Sequence, residues 1–286
     1  MDTLLIPCWR RAEFLHHTID NLVKTGDLSS VHIVIKPDLQ HETEITTVID
    51  RWKDQLPSWE IASAIPSKHR DTKQSLNLLS GYIYAAKQST GIVFMVEEDV
   101  MVGRDFFKFH RALHQKEPGL FCSLSVKNTN RPTGKKGSSS EYYLSHGDFC
   151  SLGVAFKSSV ILDQIAPHLN DDYLAHPEAY CKANFPQSTL HRSMVEQDGL
   201  IRRIQEAQDK PTAYPYQPRA FHAGWYGYNR QKYVTGSLQQ RIDRVGATIY
   251  NRDAMRRAAL KPEYFADSEP QPLELDQWET LIHKPL

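Results

Sequence analysis

Through the first hundred residues, short apolar runs alternate with stretches in which apolar positions recur every three or four residues. Leu4-Leu5-Ile6-Pro7-Cys8 is one extended run, and Val31-His32-Ile33-Val34-Ile35 is a second, closed by Pro37-Asp38. Trp59-Glu60-Ile61-Ala62 is a third extended piece, and Val93-Phe94-Met95-Val96 a fourth. Between the first two, Phe14, Leu15, Ile19, Leu22 and Val23 mark one side of a helix that Gly26 ends. Ile45, Val48, Ile49 and Trp52 mark a second helix over Glu42 to Trp52, and Ser75 to Lys87 reads as a third. Strand and helix in alternation predict βαβ units, hence an α/β fold with a mostly parallel sheet flanked by helices.

The second half is less regular. Asn128 to Ser140 is basic and rich in turn formers, and reads as a surface loop. Phe149 to Phe156 is apolar around Gly153, and Ser158 to Ile165 reads as a helix. Met194 to Glu206 reads as another helix, carrying Glu196, Asp198, Arg202 and Arg203. The stretch from Asp267 is proline-rich and acidic and is expected to wrap the surface. No internal repeat and no sharp shift of composition divides the chain, so a single domain over 1–286 is expected.

The fourth apolar run ends directly in Glu97-Glu98-Asp99. Ionised carboxylates are costly to remove from water, so three of them at the end of a buried strand need a cation, N–H donors or solvent. Two readings stay open: a divalent metal on oxygen ligands, able in turn to hold a diphosphate, or a strand running out into an acidic turn. Location favours the first. In parallel sheets, ligands bind at the carboxyl ends of the strands. Cys8-Trp9-Arg10, Pro37-Asp38 and Glu97-Glu98-Asp99 all lie at such ends and are expected to converge on one crevice. Individually, Asp38 could shape a turn and Arg10 could be a surface arginine beside Arg11. Asp105 is expected to cap the helix opening at Phe106.

Composition narrows the classes. The chain has 286 residues, 40% hydrophobic and 24% charged, with 34 basic and 34 acidic side chains. That suits one large domain or two small ones and gives no overall basic field for nucleic acid. Local basic groups remain in Lys127, Arg131, Lys135 and Lys136, and in Arg219, Arg230, Lys232, Arg241 and Arg244. Neither a G-x-G-x-x-G nor a G-x-x-x-x-G-K-[ST] motif occurs, which removes support for a dinucleotide site and a P-loop. Cys8, Cys122, Cys150 and Cys181 lack zinc-site spacing and fit reduced thiols. The apolar start is too short and too acidic for a signal peptide, and no stretch reaches membrane-spanning length. A soluble, cytoplasmic protein with no membrane and no obligate protein partner is expected.

With those residues in view, the chain resembles the GT-A fold glycosyltransferases, and within them the N-acetylglucosaminyltransferase I type. The similar stretches are Ile6 to Leu22, Ile33 to Ile49 with Asp38 and His41-Glu42, and above all Phe94 to Phe109. Phe149 to Phe156 and Glu196-Gln197-Asp198 follow the later part of the pattern more loosely. The resemblance covers about two thirds of the chain. It implies a Rossmann-like nucleotide-sugar-binding half over 1–126, an acceptor and catalytic half over 127–266, and a surface tail over 267–286.

The resemblance also implies roles. Pro7, Arg10 and Arg11 would lie at the donor's diphosphate or uracil, and Asp38 would accept the uracil N3–H. Glu97-Glu98-Asp99 takes the place of the family's acidic triplet, with Asp99 on Mn²⁺ or Mg²⁺ and Glu98 facing the donor ribose or sugar. The family more often has aspartate in the middle, so Glu98 leaves the donor sugar open. Asp198 lies where these enzymes place the general base, with Glu196 in reserve. His222 matches a late histidine that closes over metal or diphosphate, and Trp225 could stack on sugar or base. Outside the resemblance, Asp198 could pair with Arg202, and His222 and Trp225 could belong to the core.

The expected reaction moves a sugar from a nucleotide-sugar, taken as a UDP-sugar, to an acceptor hydroxyl with inversion. A hydroxymethylated pyrimidine in DNA heads the acceptors, since GT-A type enzymes of viruses and unicellular organisms glycosylate such bases and a viral or bacterial setting suits the chain. A cytosolic glycan, a lipid-linked sugar and a protein side chain are the alternatives. A sugar-phosphate nucleotidyltransferase would carry a glycine-rich, lysine-containing loop where Pro7-Cys8-Trp9-Arg10-Arg11 stands. A non-catalytic nucleotide-sugar-binding module is the third class.

Overall fold

The computed structural model describes residues 1–8, 12–25, 27–38, 42–66, 68–69, 73–125, 135–136, 142–146, 149–216 and 218–222. Strands β1 (Asp2–Cys8), β2 (Val31–Pro37), β3 (Trp59–Ile61) and β4 (Ile92–Met95) are linked by helices α1 (Ala12–Thr25), α2 (Glu42–Trp52) and α3 (Lys73–Gln88). Then come β5 (Val100–Val102), α4 (Phe106–Lys116), β6 (Cys122–Leu124), β7 (Lys135–Lys136), β8 (Tyr142–Ser145) and β9 (Val154–Lys157). A helical stretch follows over 158–165, then α6 (Asp171–Ala175), α7 (Pro177–Asn184), α8 (Gln197–Gln208), β10 (Thr212–Pro215) and β11 (Ala220–His222); the 158–165 stretch is α5, Ser158–Val160 running on into a π turn over Ile161–Ile165.

One nine-stranded sheet runs in the order β3-β2-β1-β4-β9-β6-β10-β8-β7. Its first four strands are mutually parallel, β9 and β8 run against the rest, and β10 is parallel to β6. Both faces are covered, which is why the strands read as unbroken apolar runs. The period of two divides them. Leu4 and Ile6 of β1, Ile33 and Ile35 of β2 and Phe94 of β4 pack with Leu15, Ile19, Ile45 and Ile49 of α1 and α2. Leu5, Val34, Val93 and Met95 face the other way, onto Leu79 and Tyr82 of α3 and Leu200 and Ile204 of α8. A sheet wound on both sides in this way opens its crevice at the carboxyl ends, where the order reverses beside β1.

Some local expectations change. Helix α8 starts at Gln197, not Met194. The Met194 carbonyl is taken by the Arg203 guanidinium, which also holds the carbonyls of Gly199 at 3.2 Å and His191 at 3.0 Å. That carbonyl lies so close to α8 that a Cβ on Gly199 would sit 2.0 Å from it. Asp105 stands at the N-cap position of α4 but makes no side-chain cap bond; its carboxylate accepts from Arg219 Nε at 2.8 Å. Lys135 and Lys136, expected in a loop, form a short strand on β8. Gly26, Trp225 and the stretch from Asp267 lie outside the described residues. None of the four cysteines, all among the described residues, is in a disulfide. Among the described residues, no helix is long and apolar enough to cross a membrane.

Two histidines are sealed beneath the sheet. His110 Nδ1 lies 2.6 Å from Ser123 Oγ and its Nε2 2.7 Å from Ser125 Oγ. His114 Nε2 lies 3.1 Å from the Ala155 carbonyl. Burial lowers both, His110 well below the ordinary imidazole value and His114 to about 4. The unfolded chain therefore takes up protons below about pH 6.5 that the folded chain refuses, so stability falls as pH drops through this window. Urea unfolding at pH 5 should show roughly 2 kcal/mol less stability per buried histidine than at pH 7. His114→Asn should remove about half of that dependence, leaving the share of His110; an unchanged slope would contradict the neutral buried imidazole.

Candidate functional site

The backbone brings the strand ends together. Asp38 N–H donates to the Cys8 carbonyl at 2.9 Å, and Val96 N–H donates to the Leu5 carbonyl at 3.0 Å. Asp38 and the acidic triplet therefore leave the sheet on either side of β1, at the same edge. Pro7 pairs in register with Lys36 on β2. Lys36 is buried, its ammonium on the Ser63 carbonyl, and burial lowers its pKa while Asp38 opposes the shift.

The triplet occupies a tight reversal. Val100 N–H donates to the Glu97 carbonyl at 3.0 Å, and Thr18 of α1 donates its hydroxyl to the Glu98 carbonyl at 2.7 Å. Glu98 is 5% exposed and Asp99 1%. The chain then enters β5, which pairs antiparallel with β11 so that Val100 stands opposite His222. The His222 backbone is thus one register step from Asp99. Arg10, Arg11 and Trp225 lie outside the described residues, as does the His222 side chain.

Helix α8 delivers Asp198 to the same place. Ser75 at the start of α3 donates its hydroxyl to Gln197 Oε1 at 3.1 Å and accepts from Gln197 N–H at 3.1 Å, which fixes the helix start. Asp198 is in the first turn, with Oδ1 buried. Glu196, one residue before the helix, is exposed. Ser151 donates its hydroxyl to Glu97 Oε1 at 2.6 Å. Burial first, then Asp99, raise Glu97 to about 8 against the Ser151 bond, with Glu98 and Asp198 adding to the rise. Burial and then Glu196 raise Asp198 to about 6, opposed by Ser151 and Arg202.

Glu97, Glu98, Asp99 and Asp198 therefore lie near one another, and Asp38 leaves the sheet at the same edge, on the other side of β1. The donor chemistry of these groups suits a hard divalent cation: carboxylate oxygens are the preferred ligands, and a positive charge beside Glu97 would oppose the rise that burial and the neighbouring carboxylates impose. Among the described residues, no group of three or more His, Cys, Asp or Glu side chains is placed to hold a metal ion by itself. A cation here would take further oxygens from a bound ligand. Ser151, Ser75 and Thr18 carry no signal in the sequence, since a lone hydroxyl in an apolar run is ordinary. Lys36 does carry one, as a charge on an inward strand position.

No protein-family model matches the chain, and no curated protein matches it. Solved structures do. S. aureus TarS 1–349 in complex with UDP-GlcNAc is 11% identical, with a TM-score of 0.50 over 98% of this chain and 79% of that one. The mannosyltransferase PcManGT from Pyrobaculum calidifontis, in complex with GDP-Man and Mn²⁺, is 15% identical, with a TM-score of 0.42 over 57% of this chain and 46% of that one. The galactosyltransferase LgtC, in complex with donor and acceptor sugar analogs, is 9% identical, with a TM-score of 0.46 over 74% and 72%. The chain spans about half the length of the first structures it matches, 46% of PcManGT and 58% of a second TarS 1–349 structure. On its sheet order, its two-sided winding and its overlay on TarS, the chain has the GT-A fold.

Proposed function

We propose that this chain is a nucleotide-sugar-dependent glycosyltransferase whose donor lies across the carboxyl ends of β1, β2 and β4. The observation that carries the proposal is the meeting of the acidic triplet with a fourth carboxylate, Asp198, from a distant part of the chain. A binding site for an anionic donor has no use for five acids unless some serve a cation and another serves as base. The residues of the N-acetylglucosaminyltransferase I type of resemblance supply the finer roles.

Asp38 accepts the uracil N3–H, beside Pro7. Glu98 faces the hydroxyls of the ribose or sugar. Asp99 holds a divalent cation, Mn²⁺ or Mg²⁺, which when bound neutralises charge on the leaving diphosphate. His222, Arg10 and Arg11 complete the grip on the phosphates, and Trp225 stacks on the ligand. Asp198 takes the proton of the acceptor hydroxyl as its oxygen bonds to the anomeric carbon and the bond to the diphosphate oxygen breaks. Attack from the face opposite the leaving group inverts the anomeric centre. The acceptor is a hydroxymethylated pyrimidine in DNA, drawn by Lys127, Arg131, Lys135 and Lys136, with the base turned out of the duplex to reach the crevice.

The test offers a panel of sugar nucleotides with Mn²⁺ to plain DNA, hydroxymethylated DNA and a glycan library, with products read by mass. Addition of one sugar residue to hydroxymethylated DNA is the expected result. Transfer to glycans alone would remove the DNA acceptor and leave the glycosyltransferase. No transfer or donor hydrolysis with any sugar nucleotide would contradict both, and nucleotidyl transfer to a sugar phosphate would place the chain in the rival enzyme class.

A further inference from the structure

Helix α1 buries two polar side chains beside its apolar ones. Leu15, Ile19 and Leu22 pack in one cluster with Val96, Val100 and Val102, the apolar residues on either side of the acidic triplet. Thr18 and Asn21, three positions apart on one side of the helix, are each 1% exposed. A buried polar group needs a partner, and theirs stand 80 and 81 residues away. The Thr18 hydroxyl donates to the Glu98 carbonyl at 2.7 Å and lies 3.4 Å from that of Val100. Asn21 Nδ2 donates to the Val102 carbonyl at 3.2 Å, and its Oδ1 accepts from the Val102 N–H at 2.7 Å.

These bonds act on the backbone that carries Asp99. The Glu98 carbonyl and the Asp99 N–H belong to one planar peptide unit, so a bond to that oxygen fixes the plane and restricts the direction in which the Asp99 side chain leaves it. A threonine hydroxyl inside a helix commonly turns back to the carbonyl of the preceding turn. That of Thr18 reaches across to the acidic turn instead. Asn21 grips both backbone groups of Val102 as a neighbouring strand would, and β5 pairs with β11 besides. Val96 N–H on the Leu5 carbonyl fixes the entry to the turn, and Val100 N–H on the Glu97 carbonyl closes it, both at 3.0 Å. Thr18 supplies the hold at its middle residue.

We propose that Thr18 is a positioning residue that sets Asp99 for a divalent cation by fixing the peptide between Glu98 and Asp99, with Asn21 as a second anchor on β5. This rests on Asp99 being the ligand of that cation. Groups that stand behind a metal ligand orient it, and their loss costs about 10–100-fold in metal affinity. Valine in place of Thr18 keeps the shape and removes the donor. The Glu98 carbonyl then lies buried without that bond, which favours a different setting of the peptide.

The experiment measures Mn²⁺ retained by the protein in equilibrium dialysis at one fixed UDP concentration. It compares the wild type with Thr18→Val, Thr18→Ser, Asp99→Ala and the Thr18→Val, Asp99→Ala double variant. Melting temperature and metal-free UDP affinity are recorded beside it. Thr18→Val should bind Mn²⁺ about 10–100-fold more weakly, with its metal-free UDP affinity unchanged. Thr18→Ser, which keeps the hydroxyl, should restore the wild-type value, and Thr18→Val should weaken binding no further once Asp99 is alanine. Wild-type Mn²⁺ affinity in Thr18→Val would overturn the inference, as would an equal loss in Thr18→Ser or a further loss in the double variant. If Thr18→Val does not fold, Thr18→Ser decides: wild-type Mn²⁺ affinity supports the role, and weakened affinity in a folded protein overturns it. Weak binding by Asp99→Ala beside normal binding by Thr18→Val would refute the positioning role alone. Wild-type Mn²⁺ affinity in Asp99→Ala would refute the metal assignment and this inference with it.

Discussion

Asp198→Asn should reduce transfer by about 10²–10⁴-fold while leaving donor binding intact, the usual contribution of a positioned general base. In barrier terms that is roughly 3–5 kcal/mol. Asparagine keeps the shape of the side chain, so the variant removes the proton acceptor with little disturbance of α8. The pH profile gives a second readout. Burial and Glu196 raise Asp198 to about 6, so the wild-type rate should fall as pH drops through that value and the base takes up a proton. The limb at this position should vanish in Asp198→Asn. Glu196 is exposed and enters as a charge neighbour, so Glu196→Gln should leave most of the rate and shift the limb to lower pH. Transfer by Asp198→Asn at the wild-type rate would dismiss Asp198 as base.

Asp99→Ala should abolish metal-dependent turnover, a loss on the order of 10³-fold for several kcal/mol of charge stabilisation. The variant should not unfold. Asp99 is 1% exposed and its charge acts on Glu97, so removing it relieves like-charge repulsion in the unliganded protein. The expected result is a melting temperature at or above wild type, together with loss of the stabilisation that Mn²⁺ and UDP give the wild type. Full turnover with Mn²⁺ in Asp99→Ala would exclude Asp99 as the ligand. Loss of both fold and turnover would say that Asp99 serves the core rather than the site. A binding module would keep its donor affinity and show no turnover in either form.

How far the sequence led depended on which forces were local. Strands β1, β2 and β4 were legible because burial on both faces leaves no polar alternation to confuse them, and α1 to α3 because each presents one apolar side. The acidic end of β4 was legible because three charges follow the apolar run Val93 to Val96 directly. What depends on distant partners was not. Nothing local says that β9 inserts antiparallel between β4 and β6, or that β11 pairs with β5 and so brings the His222 backbone beside Asp99. The start of α8 was misplaced because a side chain twelve residues after His191, Arg203, captures carbonyls that helical spacing assigns to the helix. Asp105 has the spacing of a cap, yet Arg219, remote in sequence, takes its carboxylate. Ser151 had no signal at all, because what marks it is its bond to the distant Glu97.

Diffraction at the manganese absorption edge, from crystals grown with UDP and Mn²⁺, tests the central claim most directly. The account predicts one anomalous peak at coordination distance, about 2.0–2.6 Å, from an Asp99 oxygen, with the diphosphate on its far side and uracil at Asp38. A peak bound away from Glu97-Glu98-Asp99, or a nucleotide seated on another edge of the sheet, would contradict it.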